Sequence, residues 1–388
     1  MRESARLQAT QTPVIPVVGE MIRSTPGCIS LGQGVVYYGP PPRAREAIER
    51  FFADPENHKY RPVQGIPPLL EAFAAKLSRE NGIRVGQGTA LVVTAGGNMA
   101  FKNALLAIAD PGDEVILQTP YYFNHEMAVG IAGCRAVLVP TDPGFQLDVD
   151  RIADAIGPRT RAVVTISPNN PSGAVYPEDD LRAVNRLCLE RGVFHIHDEA
   201  YEHFVYGVAR HFSPGAISGS QGHTISLFSL SKSYGFAGWR IGCMAIPDRL
   251  LTAVKKVQDT ILICPPVISQ YAAVGALEEG PSYCLKMRRE IEAVRCLLLE
   301  SLEELGSICH VTPADGAFYV LVRVDCRLPA MELVERLIRD HGVGVLPGST
   351  FGLDAGCWLR IAYGALEMRT AAEGIGRLVR GLRALQGG

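Results

Sequence analysis

An α/β architecture built on a mostly parallel sheet follows from three features of this 388-residue chain. Short runs rich in Val, Ile and Leu alternate with segments of helical periodicity through most of its length. Parallel strands need a crossover between them, and a helix is the usual one, so the alternation reads as βα units. Near residue 283 the pattern changes, and a long helical stretch opens a smaller α+β part. Helices then come between isolated strands rather than after each one.

The N-terminal forty-odd residues, with SLGQGVVYYGPPP, hold too much Gly and Pro to form a domain alone and are expected to lie over the smaller domain and a cleft. ALVVTAG (90–96) reads as a strand ending in a glycine turn, and NMAFKNALLAIA as the helix after it. DEVILQT (113–119), RAVLVP (135–140), RAVVTIS (161–167), VFHIHD (193–198), HTISLFSLS (223–231) and RIGCMAIP (240–247) bring the sheet to the seven-stranded type. Helical segments such as 178–192 flank it. Beyond them come a long helix (283–306), a strand GAFYVLVRV, a helix MELVERLIRDHG, a strand CWLRIAY and a closing helix over 367–385. The predicted division is a large domain over 48–282 and a small one from 1–47 plus 283–388.

Composition narrows the function. Hydrophobic residues make up 47% and charged residues 20%, enough apolar mass for a large core. A net charge of -2 gives no electrostatic case for nucleic acid or for an anionic membrane surface. The start, MRESARLQATQTP, lacks the apolar run of a secretory signal. No window approaches the roughly 18 apolar residues of a membrane span. Ten cysteines are scattered without a CxxC pair, which suits buried free thiols in a reducing compartment and predicts a cytoplasmic address.

Four stretches carry chemistry. TAGGNMAF (94–101) runs a strand through two glycines into a helix, whose free N–H groups suit a phosphate. It lacks both GxxxxGK and GxGxxG, so neither an NTP loop nor a dinucleotide fingerprint is supported. SPNNPSGAVYPED puts Asn170 at the carboxyl end of a strand, where open α/β sheets bind ligands. FHIHDEAYEHF ends a strand at Asp198 with Tyr201 three residues on. Its His195, His197, Glu199 and His203 offer metal-ligand atoms, but no HExxH helix supports them and no metal is expected. SLSKSYGFAGWRIG (229–242) surrounds Lys232 with small residues and places Arg240 eight positions later. A solvated surface turn would account for the lysine alone; a nucleophilic amine needs room and a depressed pKa, which a nearby arginine helps to supply.

In order, a glycine turn, YYFNH, NNPSG, HDEAY, SxSKxxxxxGxR and WLRIAY resemble the aminotransferases of fold type I, nearest the class I and II group with aspartate and kynurenine aminotransferases. The resemblance covers nearly the whole chain and implies a large domain that binds pyridoxal 5′-phosphate (PLP). It implies that Lys232 bonds to the cofactor and then moves the substrate Cα proton, and that Asp198 holds the pyridine nitrogen with His125 behind it. Tyr201 and Asn170 would hydrogen-bond the ring oxygen, and Tyr122 would stack on the ring. Gly96, Gly97, Asn98, Ser229 and Arg240 would hold the phosphate, joined by Tyr60 from a neighbouring subunit, which makes the working unit a homodimer. Arg360 and Gly34 would take the substrate carboxylate, and Asn170 would also belong to the substrate-binding set.

The implied reaction moves an amino group from an L-amino acid to a 2-oxo acid such as 2-oxoglutarate by a ping-pong course. Kynurenine-type members usually read LGQGFPDF where this chain has LGQGVVYYGPP, and one aspartate-specific group carries a lysine where Asn98 stands. An apolar or aromatic-tolerant mouth therefore competes with a surface-covering role for VVYYG, and an aromatic or kynurenine-like donor is preferred over aspartate. A same-fold lyase or cyclopropane-forming synthase, and a PLP-binding regulator without turnover, remain alternatives.

Overall fold

The computed structural model describes residues 2–385. Its large sheet contains seven strands: β1 (Thr89–Thr94), β2 (Glu114–Thr119), β3 (Arg135–Pro140), β4 (Thr160–Ile166), β5 (Phe194–Asp198), β6 (Thr224–Ser229) and β7 (Gly242–Pro247). They lie in the order β1-β7-β6-β5-β4-β2-β3, and only β7 runs against the rest. All seven were legible as apolar-rich runs: strands covered on both faces need continuous rather than alternating hydrophobicity, and the partly exposed edge strand β3 still carries Ala136 to Val139 as one apolar run. Every residue of β1, β6 and β7 is buried.

Helices cover both faces. The crossovers include α1 (Gly97–Ile108), α2 (Phe123–Ile131) and α3 (Glu178–Arg191). The three acids in the first turn of α3 suit the positive end of its dipole, and Gly192 closes it in the left-handed conformation. Two further helices, Pro42–Phe52 and Val267–Glu279, not among the segments expected from the sequence, pack on each other, and the first of them straddles the expected boundary at residue 48. The signal was present in Ala44, Ala47 and Phe51, which share one helical face and are buried.

The smaller sheet is antiparallel and consists of β8 (Cys309–Val311), β9 (Tyr319–Val324), β10 (Leu346–Pro347) and β11 (Cys357–Ala362), in the order β10-β11-β9-β8. Helices α4 (Pro281–Glu303), α5 (Ala330–His341) and α6 (Met368–Ala384) pack around it. Along α6, buried Ala371, Ile375, Leu378 and Leu382 recur every three or four residues, the stripe a core-facing helix needs. The N-terminal segment joins this part: Ile29–Ser30 pairs in parallel with Val343–Gly344, and Val18 and Leu31 enter the same core. Among the described residues no helix is long and apolar enough to cross a membrane.

Candidate active site

Six strands point one way, so the segments leaving their carboxyl ends meet along one edge of the sheet. The antiparallel β7 begins where the others end, which brings Arg240, two residues before it, to that same edge. The result is a partly open cleft of about 590 Å³, solvent at its mouth included. Gly97, Asn98, Tyr122, Asn170, Asp198, Tyr201, Ser229, Lys232 and Arg240 all line it.

One end of the cleft is built for an anion. Helix α1 is preceded by Gly96, which provides no side-chain cap, so the first-turn N–H groups are left for a ligand. Gly96 has φ +84°, and a Cβ there would run into the Arg240 guanidinium, so glycine is required twice over. Arg240 is itself left-handed at φ 56°, which costs about 1–2 kcal/mol for a residue with a side chain. That turn lets it donate to the carbonyls of Ala237 (2.9 Å) and Ala95 (3.2 Å) and stand beside the helix start.

Asp198 ends β5 on the cleft floor. Its Oδ2 lies 3.2 Å from His125 Nε2, and its Oδ1 accepts the Ala200 N–H at 3.0 Å. The His125 ring is stacked on Phe101 at 3.8 Å, which fixes the direction of its N–H. Tyr122 accepts from Asn124 Nδ2 at 2.8 Å, and its ring meets His125 edge-on. Lys232 Nζ donates to the Gly34 carbonyl at 2.6 Å. Burial, helped by Arg360 and Arg240, pulls its amine down to about 8, with Asp198 acting in the opposite direction.

Across the cleft, Arg360 on β11 is 1% exposed. It donates to Asn170 Oδ1 (3.0 Å) and to the Gly32 carbonyl (2.6 Å), and its Nε is without a partner among the described residues. A buried guanidinium answered by carbonyl oxygens and aromatic rings but by no carboxylate is costly, and a carboxylate ligand would relieve it. Burial lowers its pKa from the usual arginine value.

Comparison with known proteins decides the family. Residues 26–378 match the family model described as aminotransferase class I and II. The chain belongs to that family. It is 37% identical to an aspartate/prephenate aminotransferase of Thermus thermophilus, over 97% of this chain and 98% of that protein. It is 34% identical to an aromatic aminotransferase of Arabidopsis thaliana, over 98% and 96%. A solved aspartate aminotransferase from Thermus thermophilus with maleate superposes with a TM-score of 0.90 at 36% identity, covering 98% of this chain and all of that one.

This protein is therefore a PLP-dependent aminotransferase that acts on amino acids. Its donor set fits the cofactor. The uncapped helix start with Arg240 and Ser229 suits a phosphate, the buried Asp198 suits a protonated ring nitrogen, and Lys232 offers an amine between them. His125, Gly34 and Arg360 join the cleft through Asp198, Lys232 and Asn170. Tyr60 does not line this chain's cleft; it is 79% exposed on a surface groove with Phe51, Leu262 and Cys264.

Three features of the aminotransferase escaped the sequence reading. Tyr319 meets both Tyr201 and Arg360, and nothing in GAFYVLVRV marks it as other than a strand residue. In VVYYG, Tyr38 donates to the Lys232 carbonyl at 3.2 Å and Tyr37 to Glu290, so this segment straps the lysine turn. The cysteines are all free, yet only five of the ten are buried and Cys296 is exposed. His195 and His197 both hydrogen-bond Thr165 in the sheet core, and burial takes His195 down to about 3. Glu199 instead meets Glu202 and His211 within 4.8 Å, where the Lys76 ammonium already pairs with Glu202.

Proposed function

We propose that this aminotransferase moves an amino group from a neutral, aromatic or kynurenine-like L-amino acid to a 2-oxo acid such as 2-oxoglutarate, in two half-reactions at one site. The observation that carries the reading is that the Lys232 amine, with a lowered pKa, lines the cleft, while the buried Arg360, short of an anionic partner, is held at its Asn170 wall. In this reading Arg360, with the Gly34 backbone, takes the substrate carboxylate in its planar fork and so presents Cα to Lys232. Lys232, its pKa lowered, would be the base that removes the Cα proton and later returns a proton.

When bound, PLP supplies the electron sink that makes the Cα proton removable. Asp198, held by His125, would keep a negative charge at the ring nitrogen; Tyr122 would cover the ring; Tyr201 and Asn170 would donate toward its phenolic oxygen. Gly96, Gly97, Asn98, Ser229 and Arg240 would hold the phosphate. A neutral donor is favoured because Asn98 offers no cation to a distal carboxylate. The names of the relatives, aspartate/prephenate and aromatic aminotransferases, span both possibilities.

The reading extends to a homodimer in which Tyr60 reaches the phosphate of the other subunit, supported by the exposed apolar side chains Phe52, Tyr60 and Ile261. A cytoplasmic address is supported by ten unpaired thiols. Sedimentation at about twice the 41.9 kDa chain mass checks the first point. The test of function is a single-turnover absorbance assay across amino acids with no oxo acid present. Conversion of the cofactor to its amino form, fastest with an aromatic donor, is the expected result; ammonia release with the cofactor unchanged would identify a lyase instead.

A further inference from the structure

Tyr319 lies at the centre of the contacts that join the two walls of the cleft. It is 1% exposed on β9, where its neighbour in register is Ala362, and Leu321 faces Arg360. Tyr319 and Arg360 are thus diagonal neighbours on one face of an antiparallel pair, within reach of long side chains. The guanidinium stands 4.4 Å from the centre of the Tyr319 ring. At the other end of the side chain, Tyr319 Oη is 2.8 Å from Tyr201 Oη. Asn170 Nδ2 reaches the same Tyr201 oxygen at 3.4 Å, and Asn170 Oδ1 holds Arg360. Gly34 closes the arrangement from above, since a Cβ there would run into the Tyr319 hydroxyl.

We propose that Tyr319 is a positioning residue for both functions of the cleft: its hydroxyl donates to Tyr201 and aims that phenol at the cofactor, while its ring holds Arg360 for the substrate carboxylate. The proposal rests on the roles given to Tyr201 and Arg360 above. A phenol oxygen that accepts from both Asn170 and Tyr319 keeps its own proton for the cleft and donates it more strongly. Burial pushes the Tyr319 phenol up to about 12, so it remains a donor at neutral pH. The stacking acts on a different quantity. A guanidinium already held over an aromatic face loses less freedom when a carboxylate arrives.

The two contacts separate by substitution. Tyr319→Phe keeps the ring and removes the hydroxyl, while Tyr319→Leu removes both. The readouts are the pH titration of the bound cofactor's visible absorbance, and KM against kcat. With a weaker donor at Tyr201, the cofactor's phenolic oxygen becomes more basic and holds the adjacent proton more tightly. Tyr319→Phe should therefore move the titration midpoint upward by about half a pH unit, with KM within about twofold of wild type. Tyr319→Leu should raise KM for the amino acid about fivefold as well.

Tyr201→Phe serves as the reference variant. If it moves the midpoint upward while Tyr319→Phe leaves it at the wild-type value, the inference fails and the reading of Tyr201 stands. If Tyr201→Phe itself leaves the midpoint unchanged, the reading of Tyr201 fails and this inference with it. An unchanged KM in Tyr319→Leu, in a variant with wild-type cofactor content, overturns the Arg360 half.

Discussion

The two walls of the cleft are made in different ways. The floor, with Asp198, Ser229, Lys232 and Arg240, is laid down by strand ends of one sheet, so neighbouring strands place neighbouring groups. The facing wall combines Gly32 and Gly34 from the N-terminal strap, Tyr319 from β9 and Arg360 from β11. These come from opposite ends of the chain, and Asn170 joins them to the floor through Arg360 and Tyr201. The floor is suited to hold a cofactor rigidly, while the wall can vary with the substrate without disturbing the sheet.

That contrast predicts separable losses. Asp198→Asn keeps the shape and removes the charge, and should lower kcat by about 10³-fold with KM little changed, the size of effect seen when one preorganised electrostatic group is lost. Steady-state kinetics at saturating PLP check this, and an equal rise in KM would mean that the floor also binds substrate. Arg360→Ala should lower kcat/KM by about 10²-fold, from charge-assisted hydrogen bonds of about 3 kcal/mol, and leave the content of bound cofactor unchanged. A loss of bound cofactor would break the separation of floor from wall.

Arg240→Ala addresses the floor alone. It should weaken PLP retention by about tenfold or more in equilibrium dialysis, with amino acid KM unaltered once cofactor is saturating. The smallest effect expected is one of pH. The Lys232 amine titrates near 8 in the protein, so it is neutral above that pH and protonated below it. The rate of PLP capture by cofactor-free protein should rise about tenfold per pH unit below 8 and level off above it, because only the neutral amine attacks. A rise continuing to pH 10 would show an ordinary, solvated lysine.

The same contrast explains what was legible in the sequence. Floor residues sit in short segments that couple a strand end to a polar turn, so TAGGN, HDEAY and SLSKSYGFAGWRIG each showed both the element and the chemistry. All seven strands of the sheet were found for a related reason, since most are buried on both faces, and even the partly exposed edge strand β3 carries Ala136 to Val139 as one apolar run. Arg360 was reached only through the resemblance of WLRIAY, as an arginine in an apolar strand has no local signature. Tyr319 had none either: its role depends on the diagonal with Arg360 and on Gly34 folding over it, and both are tertiary facts. The two tyrosines of VVYYG suggested an apolar mouth, but the carbonyls and carboxylate that take their hydroxyls are about two hundred residues or more away.

The central claim is that Lys232 is the group that bonds to the cofactor. Borohydride reduction in the presence of PLP, followed by peptide mass spectrometry, tests it without reference to any substrate. The account predicts one reduced adduct, on Lys232, and none in Lys232→Ala. A stable adduct in that variant, or one on another lysine of the wild-type protein, would contradict it.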